Sequence, residues 1–193
     1  MGYTTEFKGS LQFDKPLTES QIAYIQAFNN TRRMKRDATK AETLKDPLRI
    51  AVGLPIGEEG AYYVGSHSDG QMGQKDDISV LDHNEPPGTP NRTKGNMDNW
   101  AAEYELKKQY IKEGKCQPGL WCQWTVNNDG TELIWDEGEK FYYYTEWIQY
   151  LITHFFNVWG VKLNGKIKWQ GEDMDDRGII EVCNSEINSY SLT

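Results

Sequence analysis

The residues from Leu120 to Cys183 constrain this chain more than any other stretch. Six of its seven tryptophans fall there: Trp121, Trp124, Trp135, Trp147, Trp159 and Trp169. At the centre a helix is expected from about Tyr142 to Trp159. Glu146, Gln149, Thr153 and Asn157 recur every three or four residues and make one polar stripe. Opposite it lie Tyr144, Trp147, Ile148, Leu151, Ile152, Phe155 and Trp159, an unusually wide apolar face. Such a helix must be laid on something apolar, and its flanks supply it. Trp121 to Val126 reads as a strand with Cys122, Trp124 and Val126 on one side. Asn127-Asn128-Asp129-Gly130 is a hairpin turn, and Thr131 to Trp135 the return strand. Gly160 ends the helix. Lys166 to Gly171 then alternates, with Lys166, Lys168 and Gln170 facing one way and Ile167 and Trp169 the other. Ile179 to Cys183 is the last strand expected, and the tail from Asn184 to Thr193 reads as polar and frayed.

The rest of the chain adds a strand and helix in front. Tyr3 to Phe13 alternates across Gly9, and Thr18-Glu19-Ser20-Gln21 matches a capping box. The helix that follows carries Ile22, Ile25 and Phe28 and ends near Asn29-Asn30. Residues 41–95 are rich in loops. Asp46-Pro47 opens a short helix, and Ala61 to Val64 and Ile78 to Leu81 read as short strands. A further helix is expected from Trp100 to Lys112. The order β-α-β-β-α-β-β predicts an α+β fold: one mainly antiparallel sheet with two helices on one face, ferredoxin-like with an extra edge strand. A length of 193 residues suits one domain over 1–193, with 41–115 as a loop-rich insertion.

No segment has the ~18 consecutive apolar residues that span a bilayer, and the first residues lack the basic-then-apolar pattern of a signal peptide. Cys116, Cys122 and Cys183 form an odd set without a CxxC pair, which predicts reduced thiols and a cytoplasmic setting. The sequon Asn91-Arg92-Thr93 has no glycosylation meaning there. The net charge of −8 is uneven. Residues 1–40 hold seven Lys/Arg against four Asp/Glu, whereas residues 128–193 hold five against twelve. An acidic surface repels nucleic-acid phosphate and can imitate it toward a basic partner.

Several groups invite a chemical reading. Arg32, Arg33, Lys35 and Arg36 form the one concentrated basic run; it suits a phosphate contact, or a helix-terminal turn that offsets acidic segments of the same chain. With Trp121 or Tyr143 as a stacking ring, the run would make a nucleic-acid or nucleotide binder. His67, and Asp82 with His83, contain residue types of a hydrolase or nuclease, with His154 at the border of the aromatic helix. Ser, Asp and Asn in loops more commonly bond their own backbone. There is no GxxxxGK[ST], no GxGxxG after a strand, no nucleophile elbow and no HExxH. Glu172-Asp173-Met174-Asp175-Asp176 only echoes a calcium loop, since Arg177 stands where a ligand belongs and strands flank it. No catalytic residue, metal site or cofactor is assigned.

Leu120-Trp121-Cys122-Gln123-Trp124, Gly138-Glu139-Lys140-Phe141-Tyr142, Trp147 with Tyr150-Leu151-Ile152, Trp159-Gly160, Leu163-Asn164-Gly165 and Trp169-Gln170-Gly171-Glu172-Asp173 with Asp175-Asp176 together resemble small uncharacterised proteins encoded by bacteriophages and other mobile elements. The resemblance is strongest over residues 120–183 and carries no catalytic motif. It implies a phage accessory protein acting in the cytoplasm of a bacterial host. The expected function is therefore to bind and inhibit a host defence component, such as a CRISPR–Cas complex. The expected surface is acidic: Asp136, Glu137, Glu139, Glu172, Asp173, Asp175 and Asp176. The partner would be a host protein or nucleoprotein complex, with direct nucleic-acid binding less favoured and no membrane association. An enzyme is the less favoured reading.

Overall fold

A strand that alternates polar and apolar residues buries one face and leaves the other in water. β1 (Thr5–Phe13) does this on either side of Gly9: Thr5, Phe7, Leu11 and Phe13 are buried, while Glu6, Lys8 and Gln12 are exposed. The structure is a computed structural model that describes residues 2–66, 80–92 and 99–192. Within these the chain divides into two compact units, the first made of residues up to Asn30 and from Trp121 onward, the second of Thr31–Leu120. The fold is α+β.

The first unit is built on a six-stranded antiparallel sheet in the order β4-β5-β1-β6-β7-β8. Its strands are β4 (Trp124–Val126), β5 (Glu132–Trp135), β6 (Leu163–Gly171), β7 (Arg177–Cys183) and β8 (Glu186–Ser191) beside β1. α1 (Glu19–Asn30) starts at the expected capping box: the Thr18 amide donates to Gln21 Oε1 at 2.9 Å and the Gln21 amide to Thr18 Oγ1 at 3.3 Å. α5 (Tyr144–Leu151) continues into a π-helical turn, Ile152–Phe156. There the amide of Asn157 bonds the carbonyl of Ile152, five residues back. Ile152, Phe155 and Phe156, spaced i, i+3 and i+4 through this turn, are all buried.

Both helices lie on the buried face of the sheet. Phe28 of α1 meets Trp147, Tyr150 and Phe155 at ring-centroid distances of 6.1, 6.4 and 5.1 Å. Tyr24 meets Phe155 at 5.3 Å, and Phe13 meets Phe156 at 5.0 Å. Phe7 packs edge-on against Trp124, Trp135, Phe141 and Tyr144. The tryptophans are thus mostly core. Gly178 permits part of this, because a Cβ there would collide with the Tyr190 carbonyl and the Trp169 ring.

Several expectations are corrected. The tail is not frayed: Asn184 and Ser185, both with positive φ, form a tight turn, and β8 pairs with β7 from Cys183↔Glu186 to Gly178↔Ser191. The turn is pinned from β6, where the Leu163 amide bonds Ser185 Oγ at 3.0 Å. The strand expected from Trp121 begins only at Trp124, and Ala61–Val64 is turn rather than strand. The inserted unit begins at Thr31 and so takes in the basic run.

The second unit has α2 (Ala38–Ala41), α3 (Pro47–Ala51), α4 (Trp100–Lys112) and a small pair of strands, β2 (Lys35–Arg36) with β3 (Val80–Asp82). Short elements leave many carbonyls without partners, and buried polar side chains meet them. Arg49 bonds Asp46 at 2.6 Å and the Leu54 carbonyl at 2.8 Å. Burial raises the Asp46 carboxyl above its ordinary range despite this partner.

Phe28 joins α1 to α5 through several rings, so Phe28→Ala should lower the unfolding free energy by about 3–5 kcal/mol, read from urea titration of tryptophan fluorescence.

Candidate functional site

Antiparallel pairing brings together turns that are distant in sequence. Thr5 of β1 sits opposite Gly171 of β6, so the segment before β1 reaches the loop between β6 and β7. Tyr3 is the hub there. Its hydroxyl donates to Asp176 Oδ2 at 2.5 Å and accepts from the Asp173 amide at 3.2 Å. The next residue's amide, that of Thr4, bonds Glu172 Oε1 at 2.7 Å. The Tyr3 amide donates to the Tyr142 hydroxyl at 3.2 Å, which ties in the other acidic turn. The two turns, 136–140 and 172–176, therefore lie at one end of the sheet.

The carboxylates divide into two sets. Asp136 accepts from Asn29 Nδ2 and the Gly138 amide, both at 2.8 Å. Asp136, Glu172 and Asp176 thus hold the turns in shape. Glu137, Glu139, Asp173 and Asp175 are exposed, and among the described residues no cation lies within 4 Å of them. Glu137, Lys140 and Tyr143 all have positive φ, at 64°, 59° and 55°. Three such residues in seven positions make a strained turn that the surrounding bonds must hold. The hydrogen bond to Asp176 raises the Tyr3 hydroxyl above its ordinary value. Burial, then the charges of Asp176 and Glu146, push Tyr144 up to about 12.

The basic run has a different place. Arg33, Lys35 and Arg36 are buried in the second unit. Arg33 bonds Gln117 Oε1 at 3.2 Å and the Ala61 carbonyl at 3.0 Å. Lys35 bonds the Thr89 carbonyl at 2.7 Å and Asn91 Oδ1 at 3.1 Å, with Glu59 at 3.7 Å. Arg36 bonds the carbonyls of Met34 and Arg32 at 3.1 Å and stacks over Tyr63 at 4.8 Å. Arg32, partly exposed, gives Nη1 to the His83 carbonyl at 2.5 Å and to Met34 Sδ at 3.1 Å. These donors serve the chain's own carbonyls, and Arg33, Lys35 and Arg36 are spent on them in the interior.

Of the three histidines, His83 and His154 belong to different units. His67 lies outside the described residues. His83 is exposed in the second unit, where Asp82 Oδ1 accepts from the Asn84 amide at 2.9 Å and makes a turn. His154 belongs to the first unit and stacks on Tyr150 at 4.0 Å. Among the described residues no three His, Cys, Asp or Glu gather as a metal site. Burial pushes the Cys116 thiol up to about 11, which keeps it protonated and unreactive at neutral pH. No helix among the described residues is long and apolar enough to cross a membrane.

Of the two proposed stacking rings, Tyr143 caps α5, whereas Trp121 lines a cavity of about 240 Å³ with Asn29, Asn30, Gln123, Asp136 and Gly138. Asp136 and Trp121 were singled out for different reasons and share this wall. Asn29 ties it together by bonding the Cys122 carbonyl and Asp136, both at 2.8 Å. The link through Tyr3 escaped sequence reasoning because it depends on strand pairing.

The basic run should behave as structure. Arg36→Ala should lower stability on the order of 2–3 kcal/mol by leaving buried carbonyls unpaired, measured by urea denaturation. A solvent-facing phosphate contact would leave the midpoint unmoved. No family model, curated protein or solved structure matches this chain.

Proposed function

We propose that this chain is a phage or mobile-element accessory protein that binds a basic surface of a host defence component, such as a CRISPR–Cas complex, inside the bacterial cell. The observation that carries the reading is the convergence of the turns 136–140 and 172–176 at one end of the sheet, linked through Tyr3. The sequence resemblance over residues 120–183 supplies the setting. Glu137, Glu139, Asp173 and Asp175 are the contact groups, and Asp136, Glu172 and Asp176 hold the turns that carry them. Carboxylates on a braced loop accept paired bonds from arginine with little further ordering, and so stand in for phosphate oxygens. Such a surface attracts a basic cleft over a distance set by ionic strength.

A ferredoxin-like reading of the first unit belongs to the same proposal. Its support is the order β4-β5-β1-β6, with α1 following β1 and α5 following β5, to which β7 and β8 add an edge hairpin.

The test is a quadruple variant, Glu137→Lys, Glu139→Lys, Asp173→Lys and Asp175→Lys, used as bait in pull-downs from host lysate and in phage protection assays. Capture of the partner and protection should both fall about tenfold or more, the loss expected from reversing interfacial charge, with thermal stability retained. Unchanged capture and protection by the folded variant would reject the mechanism.

A further inference from the structure

The second face of the sheet carries its own pattern. Pairing between β1 and β6 sets Lys8 directly opposite Lys168, and pairing between β6 and β7 sets Arg177 opposite Gln170. All three cations are exposed. Like charges directly opposite in a sheet repel, yet among the described residues none of the three has a carboxylate within 4 Å. Two of the carboxylates of this face, Glu181 and Glu132, have partners. Glu181 pairs with Lys166 at 2.8 Å, and Glu132 accepts from Ser10 Oγ at 2.9 Å and Gln12 Nε2 at 2.5 Å. A groove of about 370 Å³ runs among Lys8, Lys168, Gln170, Arg177 and Leu192, with Glu6 at its edge. Three cations against one carboxylate make it locally positive in a chain of net charge −8.

The same row continues into ring-binding chemistry. Lys168 faces Ile179, and Ile179 faces Tyr190, whose side chain is exposed. From β1 to β8 this row spans about 14 Å at the usual strand spacing. Its cations therefore sit at one end and its aromatic at the other. An acidic peptide would satisfy the lysines and leave Tyr190 and Ile179 idle. A nucleotide strand uses both, with phosphates on the cations and a base on the ring. Both helices pack on the opposite face, which leaves the row open along its length.

We infer that the open face of the sheet binds single-stranded nucleic acid, with Lys8, Lys168 and Arg177 holding phosphates and Tyr190 stacking a base. This site is separate from the acidic turns and does not rest on the proposed function. It assigns nucleic-acid contact to residues other than the buried Arg33, Lys35 and Arg36.

The experiment is fluorescence anisotropy of a labelled oligothymidylate of about 12 nucleotides, titrated with the full chain between about 50 and 200 mM salt. The wild-type chain should bind, with affinity falling as salt rises. Lys8→Ala, Lys168→Ala and Arg177→Ala combined should weaken binding about tenfold or more and make the log–log salt slope shallower by about 0.7 per cation removed. Tyr190→Ala should weaken binding about fivefold or more with little change in slope. The quadruple lysine variant of the acidic turns should still bind, so failure there leaves this site standing. No binding at the lowest salt would overturn the inference. So would equal affinity of the triple alanine variant, or equally effective displacement by polyglutamate or by a mononucleotide at the same phosphate concentration.

Discussion

The pairing of β1 with β6 is the constraint on which the first unit depends. Nine residue pairs run without interruption from Thr5↔Gly171 to Phe13↔Leu163. Side chains alternate across a strand, so a slip of one residue would turn Phe7, Leu11 and Phe13 to solvent and Lys8 and Gln12 inward. Burial of the aromatic face excludes that slip. The register places Tyr3 beside the loop after Gly171 and Lys8 opposite Lys168. The acidic end and the cationic face are thus two consequences of one ladder. Each is a surface projected from a braced sheet.

The aromatic core supplies the energy that holds the register. Phe28, Trp147 and Phe155 are fully or almost fully buried, and their rings meet mostly edge to face. Ile152, Phe155 and Phe156 stand at i, i+3 and i+4 and stay buried together through the π-helical turn. Its cost in backbone geometry is offset by apolar area removed from water.

The second unit solves a different problem. Its helices and strands are short, so its interior includes Arg33, Lys35, Arg36, Asp46, Arg49 and Glu85. Glu85 is held by Arg92 at 2.5 Å and Lys107 at 3.1 Å. Buried ions of this kind add little net stability compared with apolar packing, and losing one partner is costly. Their value is that they tie specific carbonyls and carboxylates into one arrangement.

Local periodicity determined much of this from the sequence alone. The capping box at Thr18, the helix from Trp100 to Lys112, the polar stripe of the aromatic helix and the alternation of Lys166 and Lys168 against Ile167 and Trp169 all depend on neighbours a few residues away. So does the exposure of the acidic turns, because charged loop residues remain hydrated. Tertiary structure decided the rest. The run of Arg32 to Arg36 reads as a surface patch, but burial depends on carbonyls of Ala61 and Thr89 that no local pattern reveals. β8 forms because the turn at Asn184 and Ser185 is pinned by Leu163, far away in the chain. The convergence of the two acidic turns on Tyr3, and the meeting of Lys8 with Lys168, arise from strand pairing. The physical reason is common to all four cases: periodicity reports which way a side chain faces, whereas long-range hydrogen bonds and burial decide what it faces.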